Sequence, residues 1–197
     1  MSAFLVGLGV SSLAIFIAEM GDKTQLVAMS LATRYRALTV ILGITAATAV
    51  VHLGSVFIAE VLGAAVPTDR LTLIAGLAFL CFGLWTLHGD EMTDKDEARA
   101  ASRRIRSGFM TVFVVFLVAE LGDKTMLATI TVGTQHHWLP VWIGSTLGMV
   151  AADAIAIVLG AVLGKKLPER AIRIGACVLF LVAGAAMLGQ GVWGLLT

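Results

Sequence analysis

Charged residues are scarce in this sequence. Lysine, arginine, aspartate and glutamate together make up 14% of the 197 residues, whereas hydrophobic residues make up 58%. A soluble domain carries about 25% charged residues, so this composition argues against an ordinary soluble protein and indicates a membrane protein. The formal net charge of +1 and the lack of a basic stripe give no indication of nucleic-acid binding.

Cysteine is also scarce. Cys81 and Cys177 are the two cysteines, and both lie in apolar segments. Two such thiols form neither a disulfide framework nor a zinc-binding motif. Free cysteine is among the most buried residue types, and we expect both to pack as small hydrophobic residues.

Long apolar runs dominate the rest of the chain. A bilayer span takes about 20 residues, and six stretches reach that length: 3–32, 37–65, 70–89, 107–133, 139–164 and 170–196. Residues 1–18 have neither a basic n-region nor an A-x-A cleavage site, so we expect the first run to be retained as a membrane helix. The sequence therefore predicts an all-α membrane protein with six transmembrane helices.

One charged motif occurs twice inside these apolar runs. It reads E-M-G-D-K-T at residues 19–24 and E-L-G-D-K-T at residues 120–125, 101 positions later. An ionisable group at membrane depth costs at least ~2.5–3.5 kcal/mol, so its presence there indicates function. Long, interrupted apolar runs at matching places in two halves are typical of broken helices around a transport site.

The duplication extends beyond the motif. At the same offset, the V-L-G of residues 61–63 recurs at 162–164, and Pro67 matches Pro168. We therefore predict a first three-helix repeat at 1–89, a charged linker at 90–106 and a second three-helix repeat at 107–197.

The distribution of basic residues predicts the orientation. Outside the two motifs, eleven of the twelve lysines and arginines lie in the first, third and fifth loops, and Arg70 lies on the opposite side. The positive-inside rule then places the odd loops in the cytoplasm and both termini outside. Because each repeat has three spans, the second repeat runs through the membrane inverted relative to the first, as in many secondary transporters.

The spacing within the motif suggests how its carboxylates are arranged. Glu19 and Asp22 are three residues apart, which on a helix places them on one face. Gly21 between them permits close approach or unwinding, and Thr24 adds a hydroxyl oxygen. The second motif supplies the same set from its own residues, Glu120, Gly122, Asp123 and Thr125.

If the two motifs face each other, their oxygens form a set of hard ligands. Such a set suits calcium, magnesium or manganese and does not suit copper or zinc. Four carboxylates this close cannot all remain ionised without a cation, so in its absence they should hold protons. The predicted cation ligands are Glu19, Asp22, Thr24, Glu120, Asp123 and Thr125.

Other polar residues in the spans have predicted supporting roles. Lys23 and Lys124 cannot coordinate a cation, and we expect them to balance part of the carboxylate charge. His52 and Asp153 occupy equivalent positions of the two repeats, where either is a candidate proton relay or an outer partner of the ligands. For His52, packing between helices is an equally good explanation.

Both motifs resemble the repeated E-x-G-D-K-[TS] signature of a family of membrane divalent cation/proton exchangers, and the resemblance covers nearly the whole chain. That family includes bacterial manganese exporters and Golgi manganese/calcium transporters. The resemblance implies divalent cation export, with Glu19, Asp22, Glu120 and Asp123 as the cation site and the two motif threonines alongside.

Together these observations predict a non-enzymatic secondary transporter in a bacterial inner membrane. We expect it to export manganese, with calcium as a second candidate, in exchange for protons, and to hold no permanently bound cofactor. Its partners would be the lipid bilayer, the cation and protons, and its oligomeric state is open. Three alternatives remain: an exporter of a small organic cation such as an amino acid, a passive divalent cation channel and an intramembrane metalloenzyme.

Overall fold

A computed structural model describes residues 2–88, 107–163 and 169–196, and every regular element within these ranges is an α-helix. The first half contains α1 (Ser2–Glu19), α2 (Lys23–Ala32), α3 (Ala37–Ala65) and α4 (Thr68–His88). The second half contains α5 (Gly108–Glu120), α6 (Lys124–Gly133), α7 (Trp138–Leu163) and α8 (Glu169–Leu196). The predicted linker at 90–106 and the side chain of Lys23 lie outside the described residues.

Three of the described helices have the length and composition of membrane spans. Within the described ranges, three stretches are long and apolar enough to cross a bilayer: Ser2–Glu19, Ala37–Ala65 and Trp138–Ala161. Gly108–Glu120, which is α5, and the Phe180–Leu196 part of α8 are shorter apolar helical stretches. Large apolar side chains such as Phe57 and Trp193 are 71% and 72% exposed, as expected for surfaces that face lipid. These features confirm an all-helical membrane protein, whereas the count of six spans stays a prediction.

Each motif breaks its span into two helices. The predicted span 3–32 is interrupted between α1 and α2, and the predicted span 107–133 is interrupted between α5 and α6. Gly21 and Gly122 have φ angles of 77° and 84°, in the left-handed region that glycine adopts without steric cost. The expected unwinding at the motif glycines is therefore confirmed.

The break corrects one prediction. Glu19 and Asp22 do not share the face of a continuous helix, because Glu19 is the last residue of α1 and Asp22 immediately precedes α2. The carbonyl oxygen of Glu19 accepts a hydrogen bond from the Asp22 amide at 3.0 Å, so the chain turns there instead of continuing the helix. The spacing argument failed because the left-handed Gly21 ends the helical periodicity.

The two halves pack against each other through close helix contacts. The broken pair α1–α2 runs beside α7, and the broken pair α5–α6 runs beside α3. A Cβ atom on Gly144 of α7 would lie 2.5 Å from the Leu8 carbonyl oxygen, and one on Gly43 of α3 would lie 3.2 Å from that of Phe109. At the offset of 101 residues, Gly43 corresponds to Gly144 and Leu8 corresponds to Phe109. The same contact between a glycine and a backbone carbonyl is therefore made twice.

Near the centre, residues contact their own counterparts. The Thr48 hydroxyl lies 3.4 Å from the Met149 sulfur where α3 packs on α7. The rings of Phe79 and Phe180 meet edge to face with centroids 5.5 Å apart where α4 packs on α8. Contacts between equivalent residues are those that two halves related by a two-fold axis would make.

The close packing of α1 on α7 is open to mutagenesis. A Cβ atom on Gly148 would lie 3.1 Å from the Phe16 amide nitrogen and closer still to the Ser12 carbonyl oxygen. A Cβ atom on Gly54 would have no neighbour within 4 Å. We expect Gly148→Ala to lower the free energy of unfolding by about 1–3 kcal/mol through overpacking. Gly54→Ala, the same change at an open helical position, should be neutral or stabilising. Melting temperatures in detergent measure both, and equal effects would contradict the close packing.

Candidate functional site

Two aspartates lie at the N-terminal ends of the helices that follow the breaks. Asp22 precedes α2 and Asp123 is the N-cap residue of α6, and their side chains are buried. Within the membrane this position is favourable for a carboxylate, because the N-terminal end of a helix carries a partial positive charge. Each break therefore fixes one aspartate at the electropositive end of a helix.

Two glutamates end the helices that precede the breaks. Glu19 is the last residue of α1 and Glu120 the last residue of α5, and both are 0% exposed. The C-terminal end of a helix carries a partial negative charge, which is unfavourable for a second negative charge and favourable for a cation. Each glutamate is thus held where compensation by a proton or a cation is needed most.

A threonine of each motif holds one oxygen of its glutamate. The Thr24 hydroxyl donates to Glu19 Oε1, and the Thr125 hydroxyl donates to Glu120 Oε2 at 2.8 Å. The other oxygens, Glu19 Oε2 and Glu120 Oε1, are buried and have no hydrogen-bond partner among the described residues. Buried polar atoms are normally satisfied, so these two oxygens are candidate positions for a proton or a cation.

An ion pair joins the two motifs. Lys124 Nζ, from the second motif, lies 2.6 Å from Asp22 Oδ2 of the first, and the two side chains are 8% and 0% exposed. Glu19 and Asp123 also attract this ammonium group. Residues that are distant in sequence are therefore brought together at one place in the protein.

The four motif carboxylates share one electrostatic environment but are not gathered into a compact cluster. Glu120 and Asp22 both repel Glu19, and Asp123 and Asp22 repel Glu120. Among the described residues, however, no three acidic, histidine or cysteine side chains are grouped closely enough to hold a metal ion. In this conformation the motifs meet through the ammonium of Lys124.

Asp153 adds a fifth carboxylate to this environment. It lies on α7, is 1% exposed, and neither of its oxygens has a hydrogen-bond partner in the described parts of the chain. It acts electrostatically on Glu19, Glu120 and Asp22. The sequence singled out this residue, and the structure places it beside the motif carboxylates.

His52, the counterpart of Asp153, lies on α3 and is 0% exposed. Neither imidazole nitrogen has a hydrogen-bond partner within the described ranges, so His52 and Asp153 do not bond to each other. His52 lies one helical turn after Thr48 on α3, and Asp153 lies one helical turn after Met149 on α7. Thr48 and Met149 are in contact with each other.

Gln25 is a site residue that the sequence reasoning missed. Its Oε1 accepts the Gly21 amide at 2.9 Å, and its Nε2 donates to the carbonyl oxygen of Ala152 at 3.2 Å. It therefore ties the first break to α7 next to Asp153. The available sequence signal was a polar residue inside an apolar run, immediately after the motif. In the second half, Met126 takes this position, and its sulfur lies 3.3 Å from the Gly122 amide.

Comparison with known proteins assigns the chain to a family. The sequence profile of the divalent cation/proton antiporter GDT1 matches residues 7–94 and again residues 108–194, one match in each half. The chain belongs to this family of membrane transport proteins.

Individual relatives match this chain over most of its length. A Vibrio cholerae protein named "Putative manganese exporter" is 32% identical over 91% of this chain and 88% of its own length. GDT1-like protein sll0615 of Synechocystis is 30% identical over 93% of this chain and 95% of its own. Chloroplastic PAM71 of Arabidopsis thaliana is 30% identical over 93% of this chain and 57% of its own. No solved structure matches the chain.

The hydrogen bond within the second motif predicts a pair of variants. Thr125→Val keeps the shape of the side chain but removes the donor to Glu120 Oε2, leaving a second buried oxygen without a partner. We expect a loss of about 1–3 kcal/mol in the free energy of unfolding, the usual penalty for such an atom. Thr125→Ser retains the hydroxyl and should lose less. Equal melting temperatures for both variants and the wild type would contradict this role.

The left-handed glycine predicts a second effect. A Cβ atom on Gly122 would meet nothing within 4 Å, so the φ of 84° alone decides what a substitution costs. We expect Gly122→Ala to lose about 1–2 kcal/mol, because L-residues disfavour this conformation. Gly122→Asn should lose less, since asparagine tolerates it better. If alanine is as stable as glycine in thermal unfolding, the break does not need this conformation.

Proposed function

We propose that this member of the divalent cation/proton antiporter family exports manganese, with calcium as a second candidate substrate, in exchange for protons. The observation that carries the proposal is the meeting of the two helix breaks, one from each half, through the buried Lys124–Asp22 ion pair. Ionisable groups concentrated at membrane depth mark ion pathways.

The chemistry of the breaks favours a hard divalent cation. Each break contributes one glutamate, one aspartate and one threonine hydroxyl, and all their side chains are buried. Carboxylate and hydroxyl oxygens suit manganese, calcium and magnesium better than softer metals. The name of the Vibrio cholerae relative supports manganese as the first choice. The proposed ligands are Glu19, Asp22, Thr24, Glu120, Asp123 and Thr125.

The same carboxylates explain the coupling to protons. Glu19 Oε2 and Glu120 Oε1 each need a positive partner because they are buried without a hydrogen-bond donor in the described structure. A divalent cation bound between them fulfils that need, and so do protons after the cation leaves. Binding of one therefore expels the other, and exchange follows without a separate proton path.

Four further residues support the site in this proposal. Lys124 balances carboxylate charge from its place beside Asp22, and Lys23 has the equivalent role in the first motif. Asp153 relays protons or steadies the ligands from α7, where it acts on both glutamates. His52 has the corresponding role on α3.

The proposed architecture is two inverted three-helix repeats that form six spans. The repeated glycine contacts and the contacts between counterparts, Thr48 with Met149 and Phe79 with Phe180, support it. Following the basic loops, we place the odd loops in the cytoplasm and both termini outside a bacterial inner membrane. In such transporters, alternating access proceeds by movement of one repeat against the other around a fixed site.

A flux assay in liposomes tests this function. The protein is reconstituted with a pH dye in the lumen, manganese, calcium or magnesium is added outside, and metal uptake and lumenal pH are followed together. Metal entry should expel protons and raise the lumenal pH. Asp123→Asn should lower exchange at least about tenfold, because 1.4 kcal/mol lost from cation binding is a factor of ten. Glu60→Gln, the same type of change at an exposed position of α3, is the control.

The outcomes separate the alternatives. Coupled fluxes that Asp123→Asn abolishes and Glu60→Gln preserves would establish the exchanger and identify its ion. Metal flux without proton movement would indicate a channel. Failure to move any of the three metals would contradict the proposal and favour an organic cation as substrate.

A further inference from the structure

Lys124 occupies a place among the proposed cation ligands. Its ammonium nitrogen lies 2.6 Å from Asp22 Oδ2, and Asp22, Glu19 and Asp123 all attract it. Three of the four motif carboxylates therefore act on one ammonium group. An ammonium carries donors and no lone pair, so it cannot share in coordinating a metal ion.

The ammonium and a divalent cation need the same position. Divalent cations of the calcium and magnesium type bind oxygen ligands at about 2.0–2.6 Å. The Lys124 nitrogen already lies at 2.6 Å from the Asp22 oxygen. No three acidic side chains in the described parts of the chain are close enough to form a metal cluster in this arrangement. A divalent cation bound to this Asp22 oxygen would repel the ammonium group at so short a distance, so binding of the cation favours departure of the ammonium group.

We propose that Lys124 is a tethered competitor of the transported cation: it leaves Asp22 when the cation binds and returns when the cation is released. This inference rests on the proposed function. Lys124 is thus a positioning residue that acts through Asp22 and does not touch the substrate.

Such a competitor weakens binding and assists release. The free energy needed to separate the buried ion pair is subtracted from the affinity for the cation, just as an unfavourable conformational equilibrium lowers apparent affinity. The same free energy is regained when the cation leaves, because the ammonium group and Asp22 pair again. A transporter benefits from this exchange, since a site that binds too tightly cannot release its ion to the other side.

The ion pair also links the halves. Lys124 is the first residue of α6 in the second half, whereas Asp22 immediately precedes α2 in the first half. Separation of the pair removes a bond between the two breaks at the moment when the cation binds. Cation binding is thereby connected to the freedom of one repeat to move relative to the other.

Manganese binding to purified full-length protein tests the inference. Equilibrium dialysis with radioactive manganese at neutral pH gives the Kd for the wild type, Lys124→Met and Lys124→Arg. We expect Lys124→Met to bind about tenfold tighter, because about 1.4 kcal/mol of pair separation is no longer required. Lys124→Arg keeps a permanent charge opposite Asp22 and should bind no tighter than the wild type. In liposomes, Lys124→Met should lower both KM and kcat, since release is slowed.

Thermal unfolding supplies a second readout that a purely structural role would not produce. Without metal, Lys124→Met should melt below the wild type because Asp22 has lost its ammonium partner. Saturating manganese should raise its melting temperature by more than it raises that of the wild type, since tighter binding stabilises the folded state more. If Lys124→Met does not yield monodisperse protein, Lys124→Gln, which is also neutral but retains a donor for Asp22, takes its place.

The possible results are distinct. Tighter manganese binding and a larger metal-induced stabilisation in the neutral variant support the competitor. Binding that is unchanged or weaker in a folded neutral variant overturns it and leaves the proposed exchange intact. Absence of manganese binding in the wild type points to failure of the proposed manganese exporter itself.

Discussion

The compensation of buried negative charge is the constraint on which this structure depends. Glu19, Glu120 and Asp153 are almost fully excluded from solvent and repel one another or their neighbours. A carboxylate in this position requires a proton, a metal ion or an ammonium group, because desolvation of an unpaired charge costs several kcal/mol. The Lys124–Asp22 pair supplies one such partner from within the protein.

The local backbone serves this constraint. Left-handed glycines separate α1 from α2 and α5 from α6, which places aspartates at electropositive helix ends and glutamates at electronegative ones. Thr24 and Thr125 then fix one oxygen of each glutamate, and the other oxygen has no hydrogen-bond partner among the described residues. Outside the breaks, glycines allow the surrounding helices to approach closely, which is the usual means of packing in a membrane.

The sequence predicted the parts of the site better than their arrangement. The doubled motif located both breaks, and the constant offset of 101 residues paired His52 with Asp153, each of which lies one helical turn after a residue of the Thr48–Met149 contact. An offset identifies equivalence but not distance, so it could not show that Lys124 pairs with the aspartate of the other motif. The periodicity argument for Glu19 and Asp22 failed because it assumed a continuous helix. Gln25 was missed because it lies just outside the motif and Met126 takes the corresponding position in the second half.

In the proposed function, both breaks together form one cation site. Anomalous X-ray diffraction at the manganese absorption edge, from crystals grown with manganese, tests it most directly. We predict one strong peak with carboxylate oxygens from both motifs at about 2.0–2.6 Å, the range for hard divalent cations. A peak coordinated by only one motif, or one outside the breaks, would contradict a shared site.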